Sequence, residues 1–257
     1  MAAVCRGGIF PWTTEPTVWA VQKNMIAIYI VFISAAYFLG ALPFLKLVGK
    51  IKGLDLTGEE DLHAYFFNQV GENWGIAAGL VDALKGVIPV LAGLWLQFPL
   101  IITMLAALAA IAGQMWPAFS RFNGERGNTV AAGMVITVSL ACAGLWPLLI
   151  AAGIVLVGFL IRLVRRSRER SGNLRERIEL GGRPSNIFPF AVIIAFVSFI
   201  PTSLIFQMDI AVTWGFTGVV ILLLVRRLTD GLLGDLKKTN NALRIILNRL
   251  LFDRSET

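Results

Sequence analysis

Histidine occurs once in this chain of 257 residues, as His63, and cysteine only twice, as Cys5 and Cys142. That scarcity excludes a disulfide framework and any metal centre built on His/Cys spacing, and no cofactor motif is present. Cys142 lies inside an apolar run and reads as a small packing residue. Charge is also sparse, at 15% of residues against about 25% in soluble domains. Internal repeats of 20–50 residues and low-complexity tracts are absent, which excludes solenoids and repeat arrays.

What is abundant is apolar sequence. A hydrophobic content of 56% and a mean hydropathy of +0.73 mark an all-α, polytopic integral membrane protein. The net charge of +7 comes from basic residues placed beside the apolar runs. There they act as topology signals and as contacts for anionic membrane lipids, so nucleic acid is not expected as a partner. The first run starts near Met25, after Pro11, Glu15 and Pro16, and lacks the short basic start of a cleavable signal peptide. It is expected to remain as a membrane helix.

Seven spans are expected, at about 25–48, 75–96, 99–119, 129–143, 146–163, 187–206 and 209–225, forming one domain over residues 1–225. The run from Thr129 to Leu163 overshoots a bilayer at about 1.5 Å per residue, and Gly144 and Pro147 divide it. Residues 226–257 form a basic tail in which Leu243, Ile246, Leu247, Leu250 and Leu251 make one apolar face, suited to lying on the membrane surface. One side of the membrane receives Lys46, Lys50, Lys52, Arg121, Arg126, the eight arginines from Arg162 to Arg183 and the basic tail. The other receives only Arg6 and Lys23. The positive-inside rule therefore puts the N-terminus outside and the C-terminus in the cytoplasm.

Every long polar segment then faces the cytoplasm. A transporter would instead show polar elements at the midplane and symmetric halves, so the layout favours an enzyme that takes one substrate from the cytosol and one from the bilayer. A small-anion transporter is a lesser reading.

The central stretch is Gly113–Gly133, GQMWPAFSRFNGERGNTVAAG, a polar, glycine-rich break between two apolar helices. Arg121 and Arg126 offer bidentate donors, and Gly124 and Gly127 let backbone amides approach an anion. The two arginines are either phosphate ligands or ordinary cytoplasmic anchors. Gln114 orients a substrate or bonds another helix. Asp82 and Lys85 stand three apart, so they share a helix face as an inward ion pair, with either a packing or a direct role. His63 is a candidate general base or a solvated loop residue. Glu59, Glu60 and Asp61 lack the spacing of metal ligands.

With these residues in view, the chain resembles the bacterial acyl-phosphate:glycerol-3-phosphate acyltransferase family. Tyr37-Phe38-Leu39-Gly40-Ala41-Leu42-Pro43-Phe44 is similar to the family's YLLGSIPF. Gly71, Gly75 and Val81-Asp82-Ala83-Leu84-Lys85-Gly86 are similar to its G…G…LDxLKG. Gly113, Pro117, Phe119, Phe122, Gly124 and Gly127 fall on GHxxPxFxxFxGGKGVAT without a gap. Ser185-Asn186-Ile187 resembles the third motif more loosely. The departures fall on polar positions. Residues 57–65 replace a loop close to GSGNxGATN, Gln114 stands for the histidine, and Gly124-Glu125-Arg126-Gly127 stands for GGKG.

The resemblance implies a multi-pass protein of the bacterial inner membrane whose active site faces the cytoplasm. It implies acyl transfer from acyl-phosphate to glycerol 3-phosphate, giving lysophosphatidic acid for phospholipid synthesis without a cofactor. Gln114 and Arg126 become the expected catalytic residues. Gly124, Gly127, Arg121, Asp82, Lys85, His63 and Ser185 become the expected substrate- and phosphate-binding set. A catalytically silent relative with a lipid-binding or partner-regulating role is the alternative reading.

Overall fold

The computed structural model describes residues 16–54, 65–66, 70–120, 122, 124–168, 187–230 and 242–252. Among the described residues the secondary structure is helical. These residues form nine α-helices, in order α1 (Pro16–Ala41), α2 (Phe44–Ile51), α3 (Glu72–Trp95), α4 (Leu100–Met115), α5 (Asn128–Cys142), α6 (Trp146–Arg168), α7 (Ile187–Ile205), α8 (Ile210–Thr229) and α9 (Ala242–Phe252). A short 3₁₀ turn, Ala118–Ser120, follows α4.

Among the described residues five segments are long and apolar enough to cross a membrane: Asn24–Lys50, Glu72–Trp95, Leu100–Ser120, Trp146–Val164 and Ile210–Thr229. Asn128–Cys142 and Pro189–Ile205 are apolar but fall at or below the short end of the roughly 17–25 residues that a simple crossing takes. Breaks between helices have local causes. Pro43 separates α1 from α2, and its missing N–H cannot continue the α1 ladder. Gly144, at φ 74°, turns the chain between α5 and α6, a conformation that costs a residue with Cβ about 1 kcal/mol or more.

α4 lies at the centre. Ala106, Ala107, Ala110 and Ile111 are fully buried there, together with Met134 of α5 and Val212 and Phe216 of α8. Small residues set the packing, because lipid supplies no hydrophobic drive between helices and close van der Waals approach takes its place. A Cβ on Gly40 would overlap the Ala110 carbonyl, and one on Gly113 would overlap the Tyr37 carbonyl, so α1 and α4 meet backbone to backbone. Gly86 against Val130 and Gly133 against Ala83 do the same for α3 and α5. Between α7 and α8, Ser203 Oγ and Thr213 Oγ1 share a buried hydrogen bond of 2.9 Å. The outward residues, such as Ile30, Val31, Leu80 and Leu156, are exposed and apolar, as a lipid-facing surface requires.

α9 packs against α7 and α8. It does so through Ile245 and Arg249, which are buried, while Leu243 and Leu247 stay exposed. The leucine face that suggested a surface helix is thus only partly used in docking.

Candidate active site

α3 and α4 bring three of the expected residues together. Asp82, Lys85 and Gln114 are 1%, 4% and 7% exposed, so their charges and amide must be satisfied by protein. Lys85 Nζ lies 2.8 Å from Asp82 Oδ1 and donates at 2.8 Å to both Gln114 Oε1 and the Leu42 carbonyl at the end of α1. An ammonium has three N–H donors, and here each has an acceptor.

Gln114 completes the network. Its Nε2 donates to Glu125 Oε2 at 2.9 Å and to Asp82 Oδ2 at 3.3 Å. The amide orientation follows from the charges, because a flipped amide would face its oxygen to two carboxylates and its NH₂ to an ammonium. The fit is specific to glutamine, whose amide supplies two donors and one acceptor at this point.

The segment after the break is held to the same helix end. Glu125 N donates to the Gln114 carbonyl at 3.1 Å, and a Cβ on Gly124 would overlap that carbonyl. Gly127 sits at φ 72° as the residue before α5, against Met115. Only glycine takes that backbone without strain, and it lets α5 start beside the end of α4. Tyr37 Oη donates at 2.6 Å to the carbonyl of Trp116, fixing the other side of the break to α1.

Arg126 is exposed and opens onto a narrow cleft lined by Arg126, Asn128, Leu223, Arg226, Arg227 and Asp230. Three arginines and one aspartate line it, beside the first turn of α5, whose leading N–H groups lack intrahelical acceptors. Arg226 Nη2 donates to the Gly124 carbonyl at 2.6 Å and pairs with Asp230 Oδ1 at 3.3 Å, so it ties the end of α8 to the Arg126 segment. Arg126 and Arg226 thus stand on one narrow cleft, and the Asp82–Lys85–Gln114–Glu125 network ties the segment that carries Arg126 to the end of α4.

Arg226 and Arg227 are absent from the sequence-derived site, where they mark the start of a basic tail. The signal available was the i, i+4 pair of Arg226 with Asp230, which extends α8 beyond the hydropathy drop at Val225. Glu125 stands where the family pattern has a glycine, and in the structure its carboxylate receives the Gln114 amide. Arg121, His63 and Ser185 lie outside the described residues, as does the 57–64 segment that carries the three acids. Among the described residues no group of three His, Cys, Asp or Glu could hold a metal.

A family model described as glycerol-3-phosphate acyltransferase matches residues 30–232. Glycerol-3-phosphate acyltransferase 4 of Dehalococcoides mccartyi is 26% identical over 237 residues, covering 90% of this chain and 90% of the relative. The glycerol-3-phosphate acyltransferase of Aquifex aeolicus is 30% identical over 169 residues, covering 62% of this chain and 83% of the relative. Two crystal structures of PlsY, an integral membrane glycerol 3-phosphate acyltransferase, share the fold at 23% identity. The lysophosphatidic acid form aligns with a TM-score of 0.56 over 82% of this chain and 92% of PlsY. The glycerol 3-phosphate form aligns at 0.59 over 80% and 92%.

Proposed function

The chain belongs to the glycerol-3-phosphate acyltransferase family, and from that premise we propose that it transfers a fatty acyl group from acyl-phosphate to glycerol 3-phosphate. The products are lysophosphatidic acid and inorganic phosphate, in the first acylation of phospholipid synthesis. The observation that carries the assignment to a site is the cleft where Arg126 of the GERG segment meets Arg226 and Arg227 at the end of α8.

In this reading the primary hydroxyl oxygen of glycerol 3-phosphate attacks the acyl carbonyl. A new C–O ester bond forms, the C–O bond to phosphate breaks, and phosphate leaves with the bonding pair. Acyl-phosphate is already activated, so no acyl-enzyme is needed. Gln114 carries an amide and cannot take the proton, which passes to the departing phosphate or to water. Arg126 and Arg226 hold phosphate oxygens and stabilise charge that develops as the tetrahedral centre forms. Arg121 and the backbone at Gly124 and Gly127 complete the anion-binding side, while Asp82 and Lys85 support its wall. Ser185 is assigned to the same substrate-binding side on its loose match to the family's third motif, and His63 on the chemistry of a lone imidazole.

The finer topology belongs to the same proposal. α5 and α7 cross together with the five longer spans, making seven, and close packing of α5 on α3 supports α5 as a crossing helix. The one-sided distribution of basic residues supports a cleft on the cytoplasmic side of the bacterial inner membrane, where glycerol 3-phosphate is soluble and the acyl donor is membrane-borne.

Purified full-length protein in detergent or nanodiscs, given glycerol 3-phosphate and a long-chain acyl-phosphate, is expected to release lysophosphatidic acid and phosphate in equal amounts. Product no greater than that of Arg126→Ala would overturn the assignment.

A further inference from the structure

The end of α8 is gripped by the C-terminal helix through two reciprocal arginine contacts. Arg227 Nη1 donates to the Leu250 carbonyl of α9 at 3.1 Å, and its Nη2 donates to the Pro189 carbonyl of α7 at 3.2 Å. In return, Arg249 Nη1 of α9 donates to the Asp230 carbonyl and, at 3.5 Å, to that of Arg227. Both arginines are buried, and Ile245 one turn earlier on α9 is buried with them.

Of the two carbonyls that Arg249 reaches, that of Arg227 is in the last turn of α8, where an α-helix leaves carbonyls without partners, and that of Asp230 belongs to the capping residue just after it; a cation there also meets the negative end of the macrodipole. Arg249 therefore caps α8 from a different helix. The same few residues line the anion cleft. Arg227 and Asp230 are in its wall, and the Asp230 carboxylate pairs with Arg226. Arg227 spends two of its donors on carbonyls of α7 and α9, so it acts as a strut beneath the cleft. The family match ends at residue 232, so α9 lies outside the part of the chain that it describes.

We infer that Arg249 is a positioning residue for the anion cleft, and that α9 is a working part of the site rather than a passive tail. The inference rests on the reading of the cleft as the phosphate-binding site. It makes the geometry of Arg226 and Asp230 depend on whether α9 is docked.

The test uses full-length protein in detergent with Arg249→Leu, Arg249→Lys and, as a control on the exposed side of the same helix, Leu243→Ala. Two things are measured: KM for each substrate with kcat, and backbone hydrogen exchange. Arg249→Leu is expected to raise KM for glycerol 3-phosphate by about five-fold or more, leave KM for acyl-phosphate within about two-fold, and speed exchange at residues 227–230 while α3 and α4 stay protected. Arg249→Lys recovers part of the KM, and Leu243→Ala changes neither readout. Unchanged KM for glycerol 3-phosphate overturns the inference, whether or not exchange rises. So does a rise in both KM values with faster exchange throughout, which would make Arg249 a general stabiliser. Should the wild-type protein fail to acylate glycerol 3-phosphate, the functional reading itself falls. Exchange at 227–230 then still decides whether Arg249 holds the end of α8, with unchanged exchange overturning that as well.

Discussion

Gln114 Nε2 donates to Glu125 Oε2 across 2.9 Å, joining the C-terminal end of α4 to the segment that carries Arg126. The two residues are eleven positions apart, on opposite sides of a helix break, and each departs from the family pattern that the sequence resembles. They answer one another: the glutamine amide has a second N–H to satisfy once Asp82 has taken the first, and Glu125 supplies its acceptor. Their effects on activity should therefore be coupled. Gln114→Ala and Glu125→Ala are each expected to lower kcat/KM for glycerol 3-phosphate. The double variant should fall short of the sum of the two by about 0.5–3 kcal/mol, the range for residues in one network. A double-mutant cycle on initial rates measures this, and strict additivity would show that the contact does not position Arg126.

How far the sequence carries differs between the fold and the site. Membrane helices and family were legible because both depend on local signals. Apolar runs report burial in lipid, and the spacing of Gly113, Pro117, Gly124 and Gly127 is fixed by a break that needs small residues at set positions. The number of crossings was less legible. α5 is an apolar helix of 15 residues, and hydropathy does not say how such a length sits in a bilayer. The cleft was hidden for another reason. Arg226 follows Arg126 by a hundred residues, and the i, i+4 pair in RRLTD extends α8 without distinguishing a buried guanidinium bonded to the Gly124 carbonyl from a cytoplasmic anchor. Glu125 shows the same limit, since its partner is set by how α4 ends and where the chain returns.

The Asp82–Lys85 pair gives a stability prediction. Lys85 satisfies Asp82, Gln114 and the Leu42 carbonyl at once, in a place almost closed to solvent. Lys85→Met removes the cation and leaves a buried carboxylate uncompensated, a loss of about 3–5 kcal/mol in comparable cases. Adding Asp82→Leu removes the stranded charge, so the double variant should regain much of the loss even though activity does not return. The thermal midpoint of the detergent-solubilised protein reads both. A double variant less stable than Lys85→Met alone would mean that Asp82 has another essential partner.

Helix spacing offers a contrast between glycines. Gly40 and Gly86 stand where a Cβ would overlap the carbonyls of Ala110 and Val130, and neither backbone can withdraw without separating two helices. Gly40→Val and Gly86→Val should each cost about 1–3 kcal/mol or more through overpacking, seen as loss of monodisperse protein on size exclusion. Gly79 has no atom within 4 Å of its would-be Cβ. Gly79→Ala should therefore be neutral or raise the thermal midpoint, since alanine gains up to about 1 kcal/mol over glycine within a helix. Equal damage at Gly79 and Gly86 would argue against backbone contact as the organising feature.

The cleft itself makes the sharpest claim about chemistry. Arg126 is exposed while Arg226 is buried and already bonded to the Gly124 carbonyl, so the two should respond differently to substitution. On the proposed reading, Arg126→Ala removes a charge-assisted contact to phosphate worth about 1.5–3 kcal/mol, which corresponds to a fall of roughly 10- to 150-fold in kcat/KM for glycerol 3-phosphate. The thermal midpoint should hardly move. Arg126→Lys keeps the charge and loses the bidentate geometry, so it should lie between alanine and wild type. Added salt should weaken wild-type binding more than that of Arg126→Ala, because an exposed guanidinium is screened over a Debye length of about 3 Å at 1 M. Arg226→Ala should lower both activity and the thermal midpoint, since it also unties α8 from the Arg126 segment. If Arg126→Ala instead lowered the midpoint as much as Arg226→Ala and left KM unchanged, Arg126 would be a structural residue and phosphate would have to bind elsewhere.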